Sequence, residues 1–391
     1  MDIKRILLIF SLLAGFSACS EKSLAPEREE GGFDEGMPGG SGLLYILNEG
    51  CMGRNSARLD VLDLGSGKLS TNVFPKVNPG VAMSLGDVGN DLKIYGSKMY
   101  ATISCSNLVE VMDAATARHL GAIEIPGCRS LCFDGDYAYV SSFAGKEGGG
   151  TRAEGHVAKI DTLTLKVVAR CEAGYQPEDM AVSGGRLYVA NSGGYRAPDY
   201  DDRVSVINLG NFSLEGHVRV APNLHHLLAD RHGQLWVSSR GDLRTIPSSL
   251  HRIIPAGNER PENAKTIRIE GVSATVMDLR GDSLHVIGGG YLPASQTSAS
   301  GGTAGREGST YTIVDVRSCK VLEGSFISRP EEIKLPYGIA ADPVSELIFI
   351  TDAGDYVTSG KLLCFDGMGN EKGAFTLGEI PAHMAFWKRR P

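Results

Sequence analysis

Histidine and aspartate side chains are the first candidates for chemistry in this sequence, but their spacing does not match a catalytic or metal site. His225 and His226 are adjacent, so in a strand they should point to opposite faces, and only one should reach a given site. Asp199, Asp201 and Asp202 lack the glycine and the closing glutamate of an EF-hand calcium loop. Zinc-protease, nucleophile-elbow, Walker and Rossmann patterns are missing. The sequence therefore predicts no enzyme, no metal site and no catalytic residue.

Tyrosine, amide and charged side chains indicate a different chemistry, the recognition of an organic ligand. Tyrosine offers a wide amphipathic contact at low cost in side-chain entropy, and amides add hydrogen bonds that can be oriented. The alternative is that each of these side chains only packs its own loop. The candidate ligand-binding residues are Asn48, Asn55, Asp87, Asn90, Asn107, Arg129, Tyr175, Gln176, Glu178, Asn191, Tyr195, Arg196, Tyr200, His225, Arg240, Asp242 and Tyr337.

An apolar strand core recurs seven times and predicts the elements that would hold these residues. Each core is followed by three further short strands, separated by glycine-rich or Asx turns and by loops. Four antiparallel strands in seven repeats predict an all-β fold, a seven-bladed β-propeller over residues 43–391. Separate β-sandwiches are the alternative, but they would not share one strand template. The cores are LYILN (44–48), MYATI (99–103), AYVSS (138–142), LYVAN (187–191), LWVSS (235–239), LHVIG (284–288) and IFITD (348–352).

The two ends of the repeat pattern predict how the ring closes. The chain enters the pattern at the second strand of a blade, residues 43–48, and ends on an innermost strand, residues 381–386. Blade one therefore needs its innermost strand from the C-terminus, which leaves both ends of the propeller hydrogen-bonded within one sheet.

The connections between second and third strands are mostly long, whereas the turns at the other end of the strands are tight. In a propeller these connections and those from one blade to the next emerge on the same face. Long, variable loops on a rigid ring are where recognition is built, so this long-loop face is the predicted ligand-binding face. The long connections are 49–58, 143–156, 192–203, 240–249, 289–310 and 353–361, and only 104–108 is short.

Residues 1–18 are typical of an export signal peptide, with basic residues, then an apolar run, then small residues. The string FSAC (16–19) resembles a bacterial lipobox and predicts cleavage before Cys19 and its lipidation. A plain secretory signal is the alternative. Residues 19–42 are rich in acids and glycine and predict a flexible tether between the lipid anchor and the propeller.

The composition excludes several classes of protein. The 391 residues carry a formal net charge of −7, which argues against a nucleic-acid partner because phosphate binding needs a basic face. Glycine occurs 50 times without a Gly-X-Y period, so it predicts turns rather than a collagen helix. The eight cysteines have no clustered spacing, and Cys128 and Cys132 in one strand are too far apart to bridge. Free thiols are therefore expected.

Longer strings of the sequence match the pattern of a known family. They are YILNEGCMGRNSARLDVLD, LGDVGNDLKIYGSKMYATISCSNLVEVMD, GYQPEDMAV and LYVANSGGYRAPDYDDRVSVI. They resemble the YncE-like surface lipoproteins of gut Bacteroidetes and, within them, the cobalamin-binding propellers of the BtuG type. The resemblance implies capture of cobalamin or related corrinoids at the cell surface, as transported ligands rather than cofactors. It also implies a lipid anchor in the outer membrane and a TonB-dependent corrinoid transporter as the partner.

Two other functions remain open on the same residues. A glycan-binding propeller would use the same tyrosines as platforms for sugar rings. A propeller enzyme such as a lyase would need converging His and Glu side chains near the channel, for which His225, His383 and Glu178 are the candidates.

Overall fold

The computed structural model describes residues 31–33, 42–81, 84–144, 153–289 and 308–388. The predicted signal peptide, the lipidation at Cys19 and most of the predicted tether lie outside the described residues. Parts of the loops at 143–156 and 289–310 lie outside them as well. Within the described ranges no helix has the length and apolar character needed to cross a membrane.

Short strands joined by turns and loops make up most of the described chain. The helical segments are α1 (Val73–Val77) and 3-10 turns at Gly194–Arg196, Pro261–Asn263 and Pro330–Glu332. In chain order the strands are β1 (Gly31–Phe33), β2 (Leu43–Asn48), β3 (Arg58–Asp63), β4 (Lys68–Ser70), β5 (Gly89–Tyr95), β6 (Lys98–Ile103), β7 (Leu108–Asp113), β8 (His119–Glu124), β9 (Cys128–Asp134), β10 (Tyr137–Ser142), β11 (His156–Asp161), β12 (Lys166–Glu172), β13 (Pro177–Ser183), β14 (Arg186–Asn191), β15 (Arg203–Asn208), β16 (Ser213–Arg219), β17 (Leu224–Ala229), β18 (Leu235–Ser239), β19 (Ser249–Ile254), β20 (Lys265–Ile269), β21 (Val276–Arg280), β22 (Ser283–Gly288), β23 (Thr310–Asp315), β24 (Lys320–Val321), β25 (Pro336–Ala341), β26 (Ile348–Asp352), β27 (Ser359–Phe365), β28 (Glu371–Glu379) and β29 (Pro381–Trp387).

Seven antiparallel sheets form a ring, which confirms the predicted seven-bladed β-propeller. In each sheet one strand lies innermost and three follow it outward, each hydrogen-bonded to the next. The innermost strands contact one another in ring order, from β29 with β5 round to β25 with β29. From blade one to blade seven, the sheets are β29-β2-β3-β4, β5-β6-β7-β8, β9-β10-β11-β12, β13-β14-β15-β16, β17-β18-β19-β20, β21-β22-β23-β24 and β25-β26-β27-β28, with β1 at the outer edge of the last.

The C-terminal strand closes the ring, as the sequence predicts. β29 pairs with β2 from Leu43 opposite Trp387 to Asn48 opposite Pro381. The backbone N–H of Glu49 then donates to the carbonyl of Ile380 at 2.8 Å and extends the contact. Blade one is therefore built from both ends of the propeller sequence, so no inner strand is left without a partner at the point of closure.

The strand β1 lies within the segment that the sequence predicts as a tether. It pairs antiparallel with β28, from Gly31 opposite Phe375 to Phe33 opposite Gly373, and becomes a fifth strand on blade seven. An outer strand has a row of unpaired backbone groups that any extended segment can satisfy, even without a side-chain pattern typical of a strand. This pairing covers part of the edge of blade seven.

An aromatic ring at the second position of each recurring core explains why that motif repeats. Each of these rings packs into the wedge between its own blade and the next. For example, the ring centroid of Tyr100 lies 5.0 Å from that of Phe133 in blade three. The hydrophobic core is therefore a series of layers between blades. The rings, none more than 2% exposed, are Tyr45, Tyr100, Tyr139, Tyr188, Trp236, His285 and Phe349.

Cys105, Cys128, Cys132, Cys319 and Cys364 are free thiols, as expected. Cys128 and Cys132 lie on the same strand, β9, and form no disulfide. Burial raises the pKa of each of these two thiols to about 12, so both stay protonated at neutral pH.

Removing residues 381–391 should prevent the ring from folding, because β2 loses its inner partner and the channel loses one wall. Deleting residues 20–36 should change the melting temperature little, because the described part of this segment contributes the short pairing of β1. Circular dichroism melting of both truncations is the measurement. Equal melting temperatures would contradict the role assigned to β29.

Candidate functional site

A cavity of about 1150 Å³ runs along the axis of the ring between the innermost strands. Its upper end lies among the long connections, where it contacts Glu49, Arg240 and Tyr356. Its lower end reaches Pro343 and Phe386. The long-loop face therefore opens into the central channel, and the residues around this opening, here named the mouth, form the candidate site.

A β-bulge near the start of six inner strands brings consecutive side chains to the channel. In β17, Leu224 pairs with Ser239 and Leu227 with Val237, so two residues of β17 lie opposite one residue of β18. The same shift of register occurs in β5, β9, β13, β25 and β29. The consecutive pairs that line the channel are Asn90-Asp91, Arg129-Ser130, Glu178-Asp179, His225-His226, Tyr337-Gly338 and Ala382-His383.

The predicted opposite orientation of His225 and His226 is wrong. Both side chains line the channel, and their ring centroids are 4.1 Å apart. The physical reason is the bulge in β17, which interrupts the alternation of a regular strand at this pair.

One side of the mouth carries two arginines around a single carboxylate. Glu178 is buried, with one carboxylate oxygen 3.4 Å from Nη2 of Arg129 and the other 3.6 Å from Nη1 of Arg240. The guanidinium of Arg129 also lies over the ring of Phe143, 4.6 Å from its centroid. Burial opposes the charge of Arg129, but the nearby negative charges, Glu178 first and then Glu49, together outweigh it and raise the pKa of the guanidinium. Arg129 is therefore charged.

His225 lies beside these arginines and is held neutral. Burial lowers its pKa most, and the positive charges of Arg240 and Arg129 lower it further, well below the ordinary value for histidine. Its Nδ1 is 3.4 Å from the carbonyl oxygen of Thr275. At neutral pH this imidazole is a hydrogen-bonding group rather than a cation.

The opposite side of the mouth is built around Glu49. The hydroxyl of Tyr337 donates to Oε2 of Glu49 at 3.2 Å, and Nε2 of His383 lies 3.6 Å from Oε1. Tyr356 packs edge-on against Tyr337, with ring centroids 5.6 Å apart. Burial raises the pKa of Tyr337 and the charge of Glu49 raises it further, so the hydroxyl stays protonated and keeps donating. This side is aromatic and acidic.

Below the mouth, Lys93 lies between two aspartates. Its Nζ is 3.7 Å from Oδ2 of Asp91 and 4.0 Å from Oδ1 of Asp179. Burial opposes the charge of Lys93, but the two carboxylates outweigh it and raise its pKa. The same carboxylates accept backbone N–H groups of the next blade, from Leu131 to Asp91 at 2.8 Å and from Leu227 to Asp179 at 3.2 Å. Both aspartates therefore join neighbouring blades.

Two of the predicted amides have structural contacts inside blades. Asn48 is buried and donates through Nδ2 to Oδ2 of Asp60 at 2.8 Å. Asn191 is buried, donates through Nδ2 to Ser205 at 2.9 Å and accepts the N–H of Gly174 at 3.0 Å. Neither belongs to the described residues that line the channel.

Other predicted residues shape the long connections. Asp87 accepts the backbone N–H of Gly53 at 2.9 Å, and Asp242 accepts three backbone N–H groups of its own turn. Asn55 and Asn107 have φ angles of 56° and 57°, in the left-handed region that asparagine tolerates. The carboxylates of Asp87 and Asp242 hold loops in place, and none of these four residues lines the channel.

A third group of predicted residues forms a rim outside the channel. The guanidinium of Arg196 lies 3.8 Å from the ring centroid of Tyr175. Gln176 is buried, and its Oε1 accepts the backbone N–H of Tyr195 at 3.4 Å. Tyr195 itself is 58% exposed, and Tyr200 is half-buried in the same loop. The rim thus offers aromatic surface beside the mouth.

The channel brings together part of the predicted set and adds residues that sequence reasoning missed. Asp91 and Asp179 occupy the same place in their strands, so an alignment of the inner strands on the recurring cores would have revealed them. The predicted residues at the mouth are Asn90, Arg129, Glu178, His225, Arg240 and Tyr337. The missed residues include Glu49, Asp91, Lys93, Asp179, His226 and Asp278.

Within the described ranges, no group of three or more His, Cys, Asp or Glu side chains is arranged to hold a metal ion.

Known proteins are similar to this chain in fold. No protein-family model matches it, and no curated protein matches it. A functionally unknown protein from Desulfotomaculum acetoxidans superposes with a TM-score of 0.59 at 11% identity, covering 90% of this chain and 100% of that chain. Kuenenia stuttgartiensis hydrazine synthase superposes with a TM-score of 0.52 at 18% identity, covering 71% and 76%. At such identities these structures support the β-propeller fold and nothing further.

Replacing Asp179 with Ala should lower the free energy of unfolding by about 2–3 kcal/mol, because the N–H of Leu227 loses a charged acceptor. Burial opposes the charge of Asp179, but Lys93 and His226 outweigh it and lower its pKa. A carboxylate with a lowered folded-state pKa stabilises the protein above its unfolded pKa of about 4, and this contribution is lost as the pH falls through the folded value. Urea unfolding should therefore show the difference from wild type shrinking below about pH 4.

The matched control is Asp202→Ala, which removes an ion pair whose partner, Arg219, is 77% exposed. This change should cost less than about 1 kcal/mol. Equal losses in the two variants, or an Asp179→Ala effect that persists in acid, would contradict the role of Asp179 between blades.

Proposed function

We propose that the protein captures a corrinoid, cobalamin or a relative, at the mouth and passes it unchanged to a TonB-dependent outer-membrane transporter. The observation that carries the proposal is a polar cavity of about 1150 Å³ opening on the long-loop face. The choice of a corrinoid as the ligand comes from the sequence strings that resemble the BtuG-type propellers. Lipidation of Cys19 would keep the protein at the outer membrane beside its transporter.

Polar atoms without hydrogen-bond partners support the binding of an amide-rich ligand. Among the described residues that line the channel, these atoms are Oδ1 of Asn90, Nε of Arg129, Nε2 of His226 and Nε2 of His383. These atoms are covered by protein, so a ligand reaches them only where the side chain moves. Pairing with the ligand would then recover about 1–3 kcal/mol for each atom. Corrinoids carry amide groups around the edge of their macrocycle, which offer both donors and acceptors.

The rigidity of the mouth also favours tight binding. Arg129, Glu178 and Tyr337 lie in bulged inner strands that are hydrogen-bonded to their neighbours, so little backbone freedom is lost when a ligand binds. Side chains of both charge signs lie beside Tyr337 and Tyr356. This combination suits a large ligand that is close to neutral and has an apolar macrocycle.

A glycan is the second candidate ligand, and the exposed tyrosines of the long-loop face favour it. Tyr195 is 58% exposed and Tyr356 39% exposed, which leaves both rings accessible as platforms for sugars. A lyase is the third candidate, because His225, Glu178 and His383 line the same channel. Neither of these functions accounts for the sequence resemblance.

Isothermal titration of the soluble protein from residue 20 onward with cyanocobalamin should show saturable binding. Tyr337→Ala should weaken this binding at least about tenfold, because it removes an aromatic contact and the hydroxyl that holds Glu49.

Tyr95→Ala is the matched control, because Tyr95 stacks on Phe133 with centroids 4.7 Å apart at the face away from the mouth, and it should leave the affinity unchanged. Absence of a heat signal with micromolar cyanocobalamin would overturn the proposal. Selective binding on a glycan array would instead support the second candidate.

A further inference from the structure

The two arginines at the mouth have more hydrogen-bond donors than the described protein uses. A guanidinium has five N–H donors. With side chains of the described ranges, Arg129 contacts Glu178 through Nη2, and Arg240 contacts Glu178 through Nη1. The Nε of Arg129 is buried and has no hydrogen-bond partner in the described chain. This covered Nε is out of reach of a molecule in the cavity. Both side chains nevertheless line the channel, with 25% and 35% of their surfaces exposed, so other unused donors of the two guanidiniums are available to such a molecule.

Two guanidiniums on this side of the mouth share one carboxylate. Within the described chain, Glu178 is the carboxylate within 4.0 Å of Arg129, and it is likewise the one for Arg240. The neighbouring His225 is neutral. Glu49, which accepts from Tyr337 across the mouth, is a second negative charge that acts on Arg129 from farther away. An anion placed beside the arginines would make charge-assisted hydrogen bonds in a partly water-excluded site, where such bonds are strong.

The guanidinium of Arg129 and the backbone of Arg240 are also held in position before any ligand arrives. Arg129 lies over Phe143, and Phe143 packs edge-on against Tyr195 with ring centroids 5.6 Å apart. The backbone N–H of Arg240 donates to the carbonyl of Asn223 at 2.9 Å. Such fixed donors lose less freedom on binding than mobile surface side chains.

We infer that Arg129 and Arg240 form an oxyanion subsite that takes a phosphate group of the ligand. The planar guanidinium matches the oxygens of a phosphate, and two guanidiniums on one carboxylate leave room for further acceptors. Glu178 is the positioning residue, since each of its oxygens orients one arginine. The inference rests on the proposed corrinoid function, because the phosphate group bound by the two arginines would be the phosphodiester in the nucleotide loop of cobalamin. Inorganic phosphate presents the same chemistry.

The first arm of the test compares cyanocobalamin with dicyanocobinamide, which has the same macrocycle and lacks the phosphodiester. Calorimetric affinities are measured for wild type, Arg129→Gln and Arg240→Gln. Each substitution should weaken the binding of cyanocobalamin roughly 10–100-fold. This factor corresponds to the loss of about 1.5–3 kcal/mol, the usual contribution of a hydrogen bond to a charged group. Cobinamide affinity should change less than about twofold.

The second arm does not use a corrinoid. Inorganic phosphate is added at constant ionic strength, with chloride as the reference anion, and the melting temperature is recorded. Phosphate should raise the melting temperature of wild type and should not raise that of the Arg129→Gln/Arg240→Gln double variant. The control is Arg317→Gln. The Arg317 side chain is 66% exposed and lies beside Asp282, away from the mouth, so this variant should respond to phosphate like wild type.

The outcomes separate the subsite from the proposed function. Equal weakening of both corrinoids by the substitutions would overturn the oxyanion subsite and leave the corrinoid function standing. If neither corrinoid binds wild type, the corrinoid function fails and the phosphate arm alone decides the subsite. In that case, an equal response of wild type and the double variant to phosphate would overturn the subsite.

Discussion

The unpaired edge of each inner strand is the constraint on which this ring depends. An inner strand is hydrogen-bonded to one neighbour in its own blade, so backbone groups on its other edge need partners close to the axis. Side chains of the adjacent blade supply them. Asp278 accepts the N–H of Ala341 at 2.7 Å, and Ser141 donates to the carbonyl of Glu178 at 2.7 Å. The polar lining of the channel is thus first a requirement of folding.

The bulges allow the same strands to carry a second set of polar groups. In the pair Asn90-Asp91, Asp91 accepts the N–H of Leu131, whereas Oδ1 of Asn90 has no hydrogen-bond partner among the described residues. In the pair Glu178-Asp179, Asp179 joins the next blade and Glu178 contacts the arginines at the mouth. One extra residue per strand therefore separates structural carboxylates from groups that are available to a ligand.

The repeat pattern predicts the fold because it records packing that recurs in every blade. Tyr45 and its counterparts fill the wedges between blades, and this need appears in the sequence as one motif. The bulges leave no comparable mark, so His226 could be placed in the channel beside His225 only from the strand pairing. An amide that satisfies its own blade, as Asn48 does, looks the same in a sequence as one that binds a ligand. Gly31–Phe33 pairs with β28 through backbone hydrogen bonds, which no side-chain pattern reports.

The pairing of β29 with β2 also sets the moment at which folding is complete. The four strands from the inner edge outward in each of blades two to seven follow one another along the chain, so they can pair soon after their own segment is synthesised. In blade one, β2, β3 and β4 are synthesised first. The inner edge of β2 has no strand partner until β29, the last strand of the propeller, has been synthesised. Contacts between distant parts of a chain form slowly, because the entropy of closing the loop is lost before the contact contributes its favourable free energy. Ring closure is therefore a late kinetic step that locks an open row of blades into a ring.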